Sequence, residues 1–242
     1  MSIKRTFSMA LAGLGLSTAT RRRPLPSRLA AACTAVLPVD GAAICLLDPA
    51  GIRVPAGVSD HDAATAERLE FTAGQGPGLD AHTAGCTVIA TETLIAQEWP
   101  MYYHCLVEHT RFRAITAVPL PGALLGLGTL ELYFRRPHGI ADLDMIDTDH
   151  IATQITDLLT QDGAADPTPR PGWSDTPDAA GRTAVITAIE LLGTTLTLSG
   201  YDALTLLRAR AYATDRTVDA LAADILRHRI PIDQFCPDPP TT

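Results

Sequence analysis

Along the first 160 residues the hydrophobic pattern changes period several times. Residues 27–37 (SRLAAACTAVL) suit a helix as far as Pro38, whose ring and missing N–H stop it. Residues 39–47, apolar apart from Asp40 and Gly41, read as a buried strand. Asp48-Pro49-Ala50-Gly51 then supplies a turn into a second strand over 52–58. Helical composition returns over 62–69 and ends before the glycine-rich stretch 74–78. A short strand is expected at 87–90, a helix at 99–110, and strands at 113–120 and 127–134 around a turn at 121–126. Over 140–159, Leu143, Ile146, Ile151, Ile155, Leu158 and Leu159 form the stripe of a helix packed on one face. This order predicts one α+β domain over residues 25–160, with an antiparallel sheet and helices on one side.

The rhythm breaks at Gln161. Residues 161–175 hold Pro167, Pro169 and Pro171 among Gly, Asp, Ser and Thr, the composition of a stiff, extended linker. Thr176 followed by Pro177 can open a helix, and a second domain is expected over 176–235. Three helical patterns follow. Val185, Ala188, Ile189, Leu192 and Leu196 keep one face, and Ser199-Gly200-Tyr201-Asp202 has the form of a capping box before Ala203, Leu204, Leu207 and Ala211. Thr217 caps the third, ahead of Val218, Leu221, Ala222 and Ile225. Three short helices bury little area alone, so this module is expected to lean on a partner chain or on the preceding helix.

Composition narrows the function classes. Apolar residues make up 46% of the chain and charged ones 19%, enough for packed cores and against global disorder. A formal net charge of −8 argues against gripping long nucleic acid through the whole surface, so any RNA contact must be local. Five cysteines (Cys33, Cys45, Cys86, Cys105, Cys236) lack a CxxC pair, which fits buried free thiols in a reducing, cytoplasmic compartment better than a disulfide framework. Residues 1–24 open with Lys4-Arg5 and an apolar stretch over 7–16 that superficially resembles a secretory signal. Ser8, Gly13 and Gly15 within it, and Arg21-Arg22-Arg23 after it, favour a lead-in helix. Elsewhere nothing approaches the roughly 20 apolar residues that span a bilayer, and no membrane partner is expected.

Other chemistry finds little support. His104, Cys105 and His109 are an incomplete ligand set, and no metal is expected. Gly122, Gly126 and Gly128 lie between two strands with no helix following, so a dinucleotide fingerprint fails. No motif supports an enzyme, and no cofactor is expected.

Two blocks carry a family resemblance. GQGPGLDA at 74–81 resembles the glycine-proline turn of actinobacterial GAF domains that precede ANTAR modules, where the usual string is close to GEGPCLDA and Cys often stands at the position of Gly78. RAITAVPL at 113–120 and LGTLELYFRRP at 127–137 resemble that family's last strands. The second block, SGYDALTLLRARAYATDRTVDALAADIL at 199–226, is similar to the ANTAR pattern at Ser199, Asp202, Ala203, Leu207, Arg208, Ala211, Arg216, Ala222, Ala223, Asp224 and Ile225. It departs in the first helix, where Ala188-Ile189-Glu190 replaces Ala-x-Gly; a carboxylate there would repel phosphate.

The resemblance implies a homodimeric transcription antitermination regulator. ANTAR dimers bind paired RNA hairpins and so prevent a competing terminator hairpin. Loop bases are splayed and readable where A-form stems are not. Arginines for phosphate or base edges and a ring for stacking are implied, and Arg208, Arg210, Tyr212 and Arg216 are the candidates. The GAF-like part implies a sensor with a possible small-molecule ligand. Between 181 and 230, six Arg face five acids, a nearly neutral balance. That balance, with Glu190, motivates the alternative: a sensor and protein-interaction dimer whose helical tail no longer binds RNA.

Overall fold

A computed structural model of the chain describes residues 2–16, 23–48, 51–164 and 179–235. It divides into two compact units, Met1–Ala179 and Ala180–Thr242. The first contains α1 (Ile3–Leu16), α2 (Leu25–Val36), β1 (Gly41–Leu47), β2 (Arg53–Val58), α3 (His61–Ala73), α4 (Pro77–Ala84), β3 (Val88–Ala90), α5 (Glu92–Glu98), α6 (Pro100–His109), β4 (Ala114–Pro119), β5 (Gly128–Phe134) and α7 (Met145–Ala164). The second contains α8 (Ala180–Leu196), α9 (Gly200–Ala213) and α10 (Val218–Leu226). The fold class is α+β.

The strands form one antiparallel sheet in the order β2-β1-β5-β4-β3. All seven residues of β5 and the first six of β1 are buried, so both sheet faces need a covering layer. Alternate residues supply it. Ala42, Ile44, Leu46, Leu130, Leu132 and Phe134 pack with α1, α2 and α7. Ala43, Cys45, Ile115 and Tyr133 pack on the other side with α3, α5 and α6. The expectation of helices on one side is therefore corrected. An apolar strand with no polar alternation is buried on both faces, and α4 and α5 went unpredicted because glycines and Pro100 cut their segments short.

Local chemistry sets the breaks. Asp60 caps α3 by accepting the Ala63 N–H at 3.0 Å, and Gly74 ends that helix in the left-handed region (φ 67°). Thr91 caps α5, and Pro100 at the first turn of α6 separates the two. Helix α1, expected as a lead-in, inserts Phe7 into the core at 0% exposure. Ile146, assigned above to the packed stripe of the closing helix, is 68% exposed. A bulge between Ile44 and Cys45 shifts the β1–β2 register. At the outer edge of β2, Arg23 donates to the carbonyls of Val58 (2.6 Å) and Ser59 (3.2 Å).

In the second unit every predicted core position of α9 and α10 except Leu204 is buried: Ala203, Leu207, Ala211, Val218, Leu221, Ala222 and Ile225. The Ser199 hydroxyl caps α9 by accepting the Asp202 N–H at 3.1 Å and donates to the Asp202 carboxylate at 2.6 Å; this differs from the capping box expected there, in which that carboxylate takes the Ser199 backbone N–H. Thr217 caps α10 through the Ala220 N–H at 3.2 Å. Helices α8 and α9 meet at a bend of 109°. No single helix among the described residues is long and apolar enough to cross a membrane. The prolines expected to form the linker, the Thr176–Pro177 helix start and Cys236 lie outside the described residues.

Candidate functional site

The first unit holds its polar chemistry in the layer between the sheet and α3. Arg53 opens β2 and points inward, its side chain 4% exposed. One Arg53 nitrogen, Nη1, donates to Glu70 Oε2 at 2.5 Å, and Nη2 pairs with Glu131 Oε1. Glu70, from α3, accepts the Gly78 N–H at 2.7 Å through its second oxygen. Glu131, from β5, accepts the Tyr133 hydroxyl at 2.5 Å, and that ring stacks on Phe112 with centroids 4.9 Å apart. Glu67 is buried on the same helix as Glu70. The Tyr102 hydroxyl, fully buried on α6, has no hydrogen-bond partner among the described residues.

Charges taken out of water cost several kcal/mol each unless paired and hydrogen-bonded, which explains why a guanidinium fork, a tyrosine and a backbone amide converge on two carboxylates. The lid over them is the turn GQGPG. A Cβ on Gly78 would overlap the Glu131 carboxylate and come within 2.6 Å of Arg53 Nη2, and one on Gly76 would fall 2.7 Å from Glu70 Cδ. Glycine at 78 is thus explained: Arg53 and Glu131 occupy the space that a side chain there would need.

The protonation states are plain. Burial works against the Arg53 charge, but the carboxylates of Glu70, which also accepts its hydrogen bond, and Glu67 outweigh it and hold its pKa well above the ordinary value. Burial pushes the Cys45 thiol up to about 12 and raises both Tyr102 and Tyr133, so all three are neutral at pH 7. His82 is lowered by partial burial and then by the Arg53 charge. The arrangement is a packed polar network whose charges are paired with one another; it presents no activated nucleophile. Sequence reasoning missed it. The available signal was charge inside apolar elements, above all Glu131 in GTLELYF.

The four sequence-predicted RNA residues do not converge. Arg208 and Tyr212 lie one turn apart on α9, both half-buried. Burial, then the Arg182 charge, pulls the Arg208 pKa down. Arg210, two residues on, is about 200° around the helix from Arg208; it is exposed and donates to Gln234 Oε1 at 3.3 Å. Arg216 follows α9 and donates to Asp224 Oδ2 at 2.6 Å and to the Ala220 carbonyl at 3.1 Å. Asp224 also accepts from Arg229 at 3.1 Å. Arg182, fully buried on α8, donates to Asp219 at 3.3 Å. Glu190 is exposed.

The thiols divide. Cys33 and Cys45 are buried, Cys105 is half-buried, and Cys86 is exposed, which corrects the expectation of buried thiols at that position. Cys86 follows Gly85, whose left-handed conformation (φ 64°) turns the chain out of α4 into solvent.

No protein-family model matches the chain, and comparison with curated proteins finds no match. Among solved structures, the chain is similar to the GAF domain of a phosphoenolpyruvate-protein phosphotransferase (ptsP) from Coxiella burnetii. Identity is 11% and the TM-score 0.45, covering 67% of this chain and 97% of that one. The GAF domain of an Acinetobacter phosphoenolpyruvate-protein phosphotransferase is similar at 11% identity and a TM-score of 0.42, covering 68% and 96%. At such identity the likeness concerns the fold alone.

Proposed function

We propose that this chain is a signal-responsive transcription antitermination regulator. A GAF-type domain takes up the signal, and an ANTAR-type three-helix module contacts paired RNA hairpins as a dimer in the cytoplasm. The observation that carries this reading is the agreement of motif and module. Ser199 and Thr217 cap α9 and α10, and five of the motif's six apolar residues, Ala203, Leu207, Ala211, Ala222 and Ile225, are buried, with Ala223 half-buried. Arg208 and Tyr212, one turn apart on α9, supply the phosphate contact and the stacking ring. Arg216 contributes by orienting Asp224, whose second cation, Arg229, is 65% exposed. In the N-terminal domain the packed Arg53–Glu70–Glu131 cluster braces the sheet against α3, and a small-molecule signal is taken up elsewhere in that domain. Such a ligand acts only by favouring one arrangement of the modules over another. No enzymatic step, metal or cofactor enters this reading.

A gel shift with a two-hairpin RNA pool at low and moderate salt tests it. Wild type binds, Arg208→Ala and Arg216→Ala each weaken binding by about 1–3 kcal/mol, and added salt weakens it further. If wild type shows no preference for paired hairpins over an unstructured strand, the RNA reading fails.

A second reading is favoured by the ion pairs. Arg216 and Arg229 share Asp224, and Arg182 is buried against Asp219, so much of the positive charge is already matched. On that reading the helical tail works through protein contact alone.

A further inference from the structure

Helix α9 turns two faces in different directions. Ala203, Leu207 and Ala211 enter the module's core, while Asp202, Thr205, Leu206, Ala209, Arg210 and Ala213 line an open groove of about 960 Å³. The second set follows i, i+3, i+4, i+7, i+8, i+11 spacing, the seam of a helix that packs against another helix. Leu196, Leu198 and Phe235 complete the apolar lining. Charge enters the lining only through Asp202 and Arg210.

We infer that the occupant of this groove is α9 of a second copy of the chain, antiparallel, with a two-fold axis at Leu206. Asp202 and Arg210 stand eight residues apart, about 12 Å along the axis, and Leu206 is midway between them. Rotation by 180° about an axis through Leu206 places Asp202 of each copy opposite Arg210 of the other. One acid and one base on a single helix thus yield two ion pairs across an isologous interface. A parallel pairing would oppose Asp202 to Asp202 and Arg210 to Arg210. Ala209 and Ala213 add little bulk, which lets the two axes approach to about 8 Å. Leu206 meets its own counterpart at the centre, where apolar contact excludes water from the flanking pairs.

The inference rests on the dimeric reading above but not on RNA. It also changes the role of Arg210, from an RNA contact to a dimer contact.

The test is self-cross-linking of full-length chain carrying Leu206→Cys, with Cys86, Cys105 and Cys236 replaced by Ser. A residue on a two-fold axis meets itself, so mild oxidation yields a covalent dimer. Arg210→Asp and Asp202→Arg, each added alone, put two like-charge pairs at the interface and weaken self-association on the order of tenfold. The double exchange Asp202→Arg with Arg210→Asp restores the cross-linked yield. Circular dichroism checks that α9 stays folded in each variant, since Asp202 also serves its cap. Absence of cross-linking at Leu206→Cys, or a double exchange that behaves like the singles, overturns the proposal. RNA binding that persists while cross-linking fails sinks this interface and spares the antitermination reading. Cross-linking that persists without RNA binding does the reverse.

Discussion

In the first unit, Arg53, Glu67, Glu70 and Glu131 are shut away between a sheet and its helices, each 5% exposed or less. In the second, most charged side chains lie at the rim, and the apolar residues of one helix face border an open groove. The contrast follows from size. A five-stranded sheet covered on both faces has enough interior to solvate ions with its own dipoles. Three helices of 17, 14 and 9 residues do not; the ion pair they bury is Arg182–Asp219, between α8 and α10. Buried polar networks rigidify a domain and make it intolerant of change, whereas an exposed apolar face leaves room for a partner.

The largest expected effect is at Arg53. Arg53→Met removes the counter-charge from two buried carboxylates and should destabilise the first unit by about 3–5 kcal/mol. Denaturant titration followed by tryptophan fluorescence of Trp99 reads this. A loss below 1 kcal/mol would mean that the cluster is not a closed network. Next is Gly78→Ala, which forces a methyl group into the ion pair and should cost about 1–3 kcal/mol in the same titration. Ser199→Ala tests the smaller unit: losing the N-cap should cost about 1 kcal/mol and fray α9 without touching the first unit. Amide exchange resolves the two units separately.

The smallest effect is pH-dependent. The Arg216 hydrogen bond, then that of Arg229, holds the Asp224 carboxyl below its ordinary value. A carboxyl lowered in the folded state contributes stability in full above the unfolded value, about 3.9, and loses it as pH falls through the folded value. The melting temperature of the second unit should therefore drop on acidification below about pH 4. Asp224→Asn should flatten that part of the profile.

What the sequence disclosed depended on range. Strands at β1, β4 and β5 and the caps at Ser199 and Thr217 were legible because their signals lie within a few residues. The interior cluster was not. Arg53 and Glu70 stand 17 residues apart, and nothing near either predicts the other or their convergence with Glu131. Similarly, the family resemblance groups Arg208, Arg210 and Arg216 as RNA candidates, yet helical phase separates the first two and Asp224 engages the third. Glycines were half legible: Gly74 was recognised as a stop, but the need for Gly78 appears only once Arg53 is packed beneath it.

The borders of the sheet carry a last consequence. Strand β3 has three residues; at β2 the Arg23 side chain takes the Val58 carbonyl and that of Ser59 just beyond the strand, the backbone of Pro26 and Ser27 packs against Gly57, and Pro55 offers no N–H. Neither margin presents a long ladder of vacant amides and carbonyls, so templated stacking into fibrils has no starting rail. A strongly apolar sheet is thus kept from pairing edge to edge with a second copy.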